Sequence, residues 1–269
     1  MTLSWHCSRL PVKEFTMAAP ITILDHPIVS GRYFFPRKTA LPDPYWVTAG
    51  DGIRLACSYH FVSKQANTLI YFHGNGEVVA DYLPHFADWI IGAGYNLLLA
   101  EYRGYGQSQG EPILAGMLED VVACIQALQT PPEKIVLFGR SLGSLYVLHG
   151  VHKYPRIGGL IIESGIANLG ERFFDRVSAE ELGVPKQQIK GELNKYFNFA
   201  EKLSSFHGKT LILHARLDEL VSIQNAEDLY SAASESKQLH VFNQGGHNDI
   251  FFRNRAEYMQ LVEAFLAGI

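Results

Sequence analysis

Three residue types in this chain can be combined into nucleophilic chemistry. Ser141 sits in Gly139-Arg140-Ser141-Leu142-Gly143, a G-x-S-x-G pattern. A serine hydroxyl is a poor nucleophile at neutral pH and needs a base beside it. Histidine suits that role because its pKa lies near 6.5, and the base in turn needs an acid to fix its tautomer and stabilise the imidazolium. His247, in Gly245-Gly246-His247-Asn248-Asp249, is the candidate base. Asp218, in Ala215-Arg216-Leu217-Asp218-Glu219, is the candidate acid, and Glu163 competes with it. The order Ser…Asp…His is one of the known chain orders for such a set.

These residues need a scaffold that presents them together. Lys134–Phe138 is apolar and β-branched and reads as a buried parallel strand. Ser144–Tyr154 reads as a helix. Ser141 therefore falls on a strand-to-helix turn, the context the pattern requires. Glycines at 139 and 143 remove Cβ atoms from a crowded turn, and the first N–H groups of the helix have no helical partner and face whatever the serine attacks.

Around this centre the chain alternates. Residues 45–49 and 53–61 read as a hairpin across Gly50-Asp51-Gly52. Strands are expected at 68–72, 95–100, 134–138, 157–162, 210–214 and 237–242. Helices are expected at about 78–92, 115–128, 144–154, 223–233 and 253–267. Asp218 and His247 each follow a strand, and ligand sites of open α/β sheets lie at the strands' carboxyl ends. Residues 164–208 interrupt the alternation and read as amphipathic helices of a cap inserted between two strands. Residues 1–44 read as an irregular N-terminal segment, with a short edge strand at Ile21–Leu24; residues 45–269 read as a single domain that includes the cap. The fold class is α/β: a mostly parallel twisted sheet of about eight strands, helices on both faces, and a small helical cap.

Here the sequence resembles a known family. His73-Gly74-Asn75-Gly76, Tyr102-Arg103-Gly104-Tyr105-Gly106 and the Ser141 pentapeptide are similar to motifs of the α/β-hydrolase superfamily, over roughly residues 45–268. They resemble its branch of small intracellular serine hydrolases, which includes fatty-acyl protein thioesterases. The resemblance implies an oxyanion hole formed by the N–H groups of Asn75 and Leu142, with Gly76 in place of Asn75 if the loop is shifted by one. Such donors can each contribute ~2.7–4 kcal/mol to a transition state. Serine at 141 argues against dehalogenase or epoxide-hydrolase chemistry, for which the family places aspartate there. Arg216 stands where the family often has glycine. Arg103 is expected to pair a carboxylate such as Glu101.

The substrate pocket is expected to include His73, Glu163, Phe173 and Phe174. The apolar residues of the cap favour an apolar acyl or aryl group, and the cap's small size favours short-to-medium chains.

Composition closes off other classes. At 47% hydrophobic and 19% charged residues, the chain can bury a sizeable core. A net charge of −4 offers no nucleic-acid footprint. No H-E-x-x-H or phosphate-loop pattern occurs, so neither a metal nor any other cofactor is expected. Three cysteines, Cys7, Cys57 and Cys124, suit a reducing compartment. No apolar run reaches membrane-span length, and polar residues interrupt the N-terminal stretch, so a cytoplasmic location is expected. The expected partner is a small-molecule ester or thioester, with no nucleic acid and no membrane span; the oligomeric state is open. The expectation is a cofactor-independent serine esterase or thioesterase working through an acyl-enzyme. An aminopeptidase or amidase of the same fold is an alternative, as is a non-catalytic ligand-binding protein.

Overall fold

The runs Thr68–Phe72 (β3) and Ile135–Arg140 (β5) are buried at every position. Such runs have no solvent face to offer, so they belong in the middle of a sheet covered on both sides. Our computed structural model, which describes residues 22–269, places them there. Among the described residues eight strands form one sheet in the order β1-β2-β4-β3-β5-β6-β7-β8. The remaining strands are β1 (Tyr45–Thr48), β2 (Arg54–His60), β4 (Asn96–Ala100), β6 (Gly159–Glu163), β7 (Lys209–Ala215) and β8 (Lys237–Phe242). β1 and β2 pair antiparallel, as does β2 with β4; every later pairing is parallel.

The two-residue period of the strands divides the core. Ile70, Phe72 and Leu137 face one apolar layer, and Leu69, Tyr71, Val136 and Phe138 face the other. The first layer contains α3 (Leu118–Ala127) and α4 (Leu142–Lys153). The second layer contains residues of the last helix, Arg255–Leu266.

Two expectations are corrected. Residues 22–24 are not a strand: Ile23–Asp25 is a single 3₁₀ turn, and Pro27–Tyr33 (α1) is a helix. Thr22 Oγ1 accepts the Leu24 N–H and the His26 ring accepts the Ile28 N–H, while Pro27 occupies the helix start. Residue 21 and the cysteine at 7 lie outside the described residues. The expected helix 78–92 is instead a 3₁₀ turn (Val79–Tyr82), a wide π turn (Leu83–Ala87) and α2 (Asp88–Gly92). Pro84 lacks the N–H that a continuous helix would use.

The insertion between β6 and β7 carries α5 (Leu169–Phe174), α6 (Ala179–Leu182), α7 (Lys186–Phe197) and α8 (Phe199–Ser204). α8 packs on α4 and on α9 (Ile223–Ala232). A short helix α10 (Ile250–Arg253) and then α11 (Arg255–Leu266) end the chain. No helix of the described residues is long and apolar enough to cross a membrane.

Candidate active site

Because β3, β5, β6, β7 and β8 run parallel, the segments after their carboxyl ends gather at one edge of the sheet. Ser141 follows β5 directly with φ +48° and ψ −112°, a strained conformation for a residue with a Cβ. Such strain costs on the order of 1–3 kcal/mol and persists only where the surroundings enforce it. A Cβ on Gly143 would collide with the Phe72 carbonyl, and one on Gly139 would meet Val147 and the Gly143 backbone. The α4 N-terminus thereby packs close enough to β3 to hold the turn. Ser141 N–H donates to the Glu163 carbonyl at 2.8 Å, locking the turn to the end of β6.

The side chains form a continuous chain. Ser141 Oγ lies 2.9 Å from His247 Nε2, and His247 Nδ1 lies 2.8 Å from Asp218 Oδ2. Asp218 Oδ1 accepts the N–H groups of Leu220 (2.9 Å) and Val221 (2.7 Å). Burial alone would raise the Asp218 pKa, but the His247 hydrogen bond and the Val221 N–H outweigh it and hold the carboxyl below its usual range. Asp218 is therefore an anion that accepts from Nδ1–H, which leaves Nε2 free to accept from the Ser141 hydroxyl. His214, wholly buried behind this loop, donates from Nε2 to the Val221 carbonyl at 2.9 Å. Burial lowers its pKa, so it adds no cation beside Asp218.

At the start of α4 the Leu142 N–H has no helical acceptor. Asn75 uses its side chain elsewhere: Nδ2 donates to the Tyr33 carbonyl at 2.6 Å, and Oδ1 accepts from Phe35 N–H (3.0 Å) and Tyr105 Oη (2.7 Å). The amide thus pins the loop to the segment after α1, and among the described residues the Asn75 N–H has no partner.

The residues expected to line a pocket divide. His73 is 1% exposed and offers no surface to a ligand. Its Nε2 pairs with Glu101 Oε1 at 2.7 Å and its Nδ1 donates to the Gly74 carbonyl at 2.8 Å. Burial would lower its pKa, but the Glu101 charge and hydrogen bond outweigh that and raise it. Glu101 is thus taken by His73, and Arg103 pairs instead with Asp120 and Asp51, correcting the expected Arg103–Glu101 pair. Phe173 is wholly buried in the core and offers no surface to a ligand. Phe174 is half-buried and borders a cap cavity of about 630 Å³ with Leu193, Phe197 and Lys186, apart from Ser141. Glu163 contacts Arg140 and Tyr258 rather than the His247 ring, and it borders a 230 Å³ cavity with Tyr71 and Phe251. Arg216 donates to Asn243 at the end of β8.

The sequence held no signal for the arginine contacts that tie the insertion to the rest of the chain. Arg172 on α5 donates to the Leu220 carbonyl in the acid loop, and Arg176 donates to the Tyr33 carbonyl at 3.3 Å. The Arg176 guanidinium lies over the rings of Tyr33 and Phe35. These contacts join segments some 50 to 140 positions apart. Among the described residues no group of three His, Cys, Asp or Glu side chains could hold a metal ion.

A mostly parallel sheet with a serine elbow, a helical insertion after β6, and acid and histidine loops after β7 and β8 defines an α/β-hydrolase. Comparison with known proteins makes this more particular: the chain belongs to the family described as "Serine aminopeptidase, S33", whose model matches residues 63–197. The matched stretch contains Ser141 and stops before Asp218 and His247. The chain is 26% identical over 277 residues to the uncharacterized protein YfhR of Escherichia coli K12, covering 95% of this chain and 93% of that protein. It is 27% identical over 257 residues to YfhR of Salmonella typhimurium, covering 88% and 87%. Among solved structures, the esterase Pf2001 of Pyrococcus furiosus superposes with a TM-score of 0.68 at 18% identity, covering 87% of this chain and 97% of that one. A monoacylglycerol lipase of Paleococcus ferrophilus superposes with a TM-score of 0.64 at 16% identity, covering 80% and 98%. At those identities the structural likeness establishes the fold.

Proposed function

We propose that the protein is a serine hydrolase that cleaves carboxylic esters or thioesters through an acyl-enzyme. The observation that carries this reading is the chain Ser141 Oγ–His247 Nε2–Asp218 Oδ2, both links within 2.9 Å, at a strained strand-to-helix turn. Ser141 attacks the carbonyl while His247 takes its proton and the Asp218 anion stabilises the imidazolium. The Leu142 and Asn75 N–H groups receive the oxyanion. His247 returns the proton to the departing alcohol or thiol, then activates the water that releases the acid. No step calls on a metal or cofactor. The free, buried Cys57 and Cys124 fit a reducing, cytoplasmic setting.

The family description favours a second reading, an aminopeptidase acting on amides. The two separate on substrates: p-nitrophenyl esters and acyl thioesters against aminoacyl p-nitroanilides. The ester reading expects turnover of the first two and none of the anilides. Faster turnover of an anilide replaces it with the aminopeptidase.

A further inference from the structure

Arg140, between Gly139 and Ser141, is only 7% exposed, yet every nitrogen of its guanidinium has an acceptor. Its Nε donates to Glu163 Oε1 at 3.0 Å. Its Nη2 donates to the carbonyl of His247 at 2.7 Å and to Asn248 Oδ1 at 3.3 Å. Its Nη1 pairs with Glu77 Oε1.

The four acceptors sit on three segments of the site. Glu77 closes the loop after β3: its Oε2 accepts the Gly74 N–H and the Tyr82 hydroxyl, each at 2.6 Å. Glu163 ends β6, accepts from Tyr258 on α11, and through its carbonyl receives the Ser141 N–H. His247 and Asn248 belong to the loop after β8. One side chain, covalently next to Ser141, therefore ties together the loops of the proposed nucleophile, base and oxyanion donor.

The neighbouring sequence is fitted to this arrangement. A Cβ on Gly74 would lie 2.5 Å from Arg140 Nη1 and 2.8 Å from Glu77 Oε2, so glycine at 74 leaves room for the guanidinium. Only a planar fork with five donors serves three directions at once; a lysine ammonium keeps the charge and loses that geometry. Two largely buried carboxylates, Glu77 and Glu163, also need a cation between them.

We propose that Arg140 is a positioning residue for the reaction, holding the His247 backbone in register with Ser141 and with the Gly74–Asn75 loop. The proposal rests on the reading of Ser141 and His247 as nucleophile and base. Its logic is geometric: the bond falls on the base residue's own carbonyl, so losing it frees the imidazole to drift from the 2.9 Å contact with Ser141 Oγ. Misplacement by about 1 Å can cost ~10²-fold in rate.

The test uses the full chain, a fluorophosphonate probe and a p-nitrophenyl ester. Arg140→Gln and Arg140→Lys are expected to fold by circular dichroism and to keep the wild-type KM. Both should lower kcat and the labelling rate by ~10²-fold, and lose the low-field proton NMR signal of the His247 Nδ1–H held by Asp218. A folded Arg140→Lys that labels at the wild-type rate with that signal intact overturns the proposal. If the Arg140 variants do not fold, Glu163→Gln removes one anchor of the guanidinium. It should slow labelling and weaken the same signal, and an unchanged rate and signal overturn the proposal. Ser141→Ala in the same series should not label. Labelling of that variant overturns the nucleophile reading itself, and the proposal with it, whatever the Arg140 variants do.

Discussion

Replacing Asp218 by asparagine tests how the acid works, because the structure dictates which way the new amide turns. Asp218 Oδ1 accepts two backbone N–H groups, from Leu220 and Val221. An asparagine must keep its carbonyl oxygen there, since turning the amide would set NH₂ against two donors. The NH₂ then faces His247 Nδ1, where the Asp218 Oδ2 acceptor had been at 2.8 Å. Nδ1 can answer only as an acceptor, which moves the imidazole proton to Nε2. Nε2–H then points at Ser141 Oγ and no longer takes its proton. The loop geometry survives and the base is lost. In other triads this exchange costs ~10⁴-fold in kcat, or about 5 kcal/mol at 1.36 kcal/mol per decade. Steady-state hydrolysis of a p-nitrophenyl ester at pH 7 measures it, with a thermal melt to show that the fold is kept. Glu163→Gln, which keeps the Asp218 carboxylate and disturbs His247 only through Arg140, is expected to cost much less. A folded Asp218→Asn with more than a tenth of wild-type activity refutes the reasoning, as does a larger loss in Glu163→Gln.

Three further outcomes follow from burial and chemistry. Lys202 is 5% exposed, its ammonium lies over the Phe197 ring with no hydrogen-bond acceptor among the described residues, and burial pushes its pKa from 10.5 down to about 7. With the folded pKa depressed, the penalty is fully present below about 7 and fades as pH rises toward 10.5. Lys202→Met should therefore raise Tm by roughly 5–10 °C at pH 7, with a gain that shrinks by pH 10; an unchanged Tm, or a gain constant with pH, contradicts this. Gly143→Ala drives a Cβ into the Phe72 carbonyl and should unfold the protein or remove activity, read by melting and ester hydrolysis together. Across p-nitrophenyl esters from acetyl to palmitoyl, kcat/KM should fall for the long chains; a steady rise to palmitoyl would indicate an open groove.

What the sequence disclosed was whatever depends on local pattern. β3 and β5 were legible because continuous β-branched and apolar runs have no other stable placement than a covered parallel sheet. Ser141, Asp218 and His247 were legible because each follows a strand, and parallel strands bring those ends together. α1 was not legible because its start depends on a histidine cap, and the turn before it is capped by Thr22, whose hydroxyl bonds Glu192, 170 positions away. The break in the 78–92 helix is signalled by Pro84. Arg140 could not be assigned, because its partners at 77, 163 and 247 come together only when four loops meet.

The central claim is that Ser141 carries the acyl group, and mass spectrometry of the protein quenched during turnover of p-nitrophenyl acetate tests it most directly. The account predicts one acetyl adduct on the peptide containing Ser141, none in Ser141→Ala, and loss of nearly all turnover in that variant, ~10⁶-fold in other triad enzymes. An adduct on a different residue, or a folded Ser141→Ala that keeps more than a tenth of wild-type turnover, would contradict it.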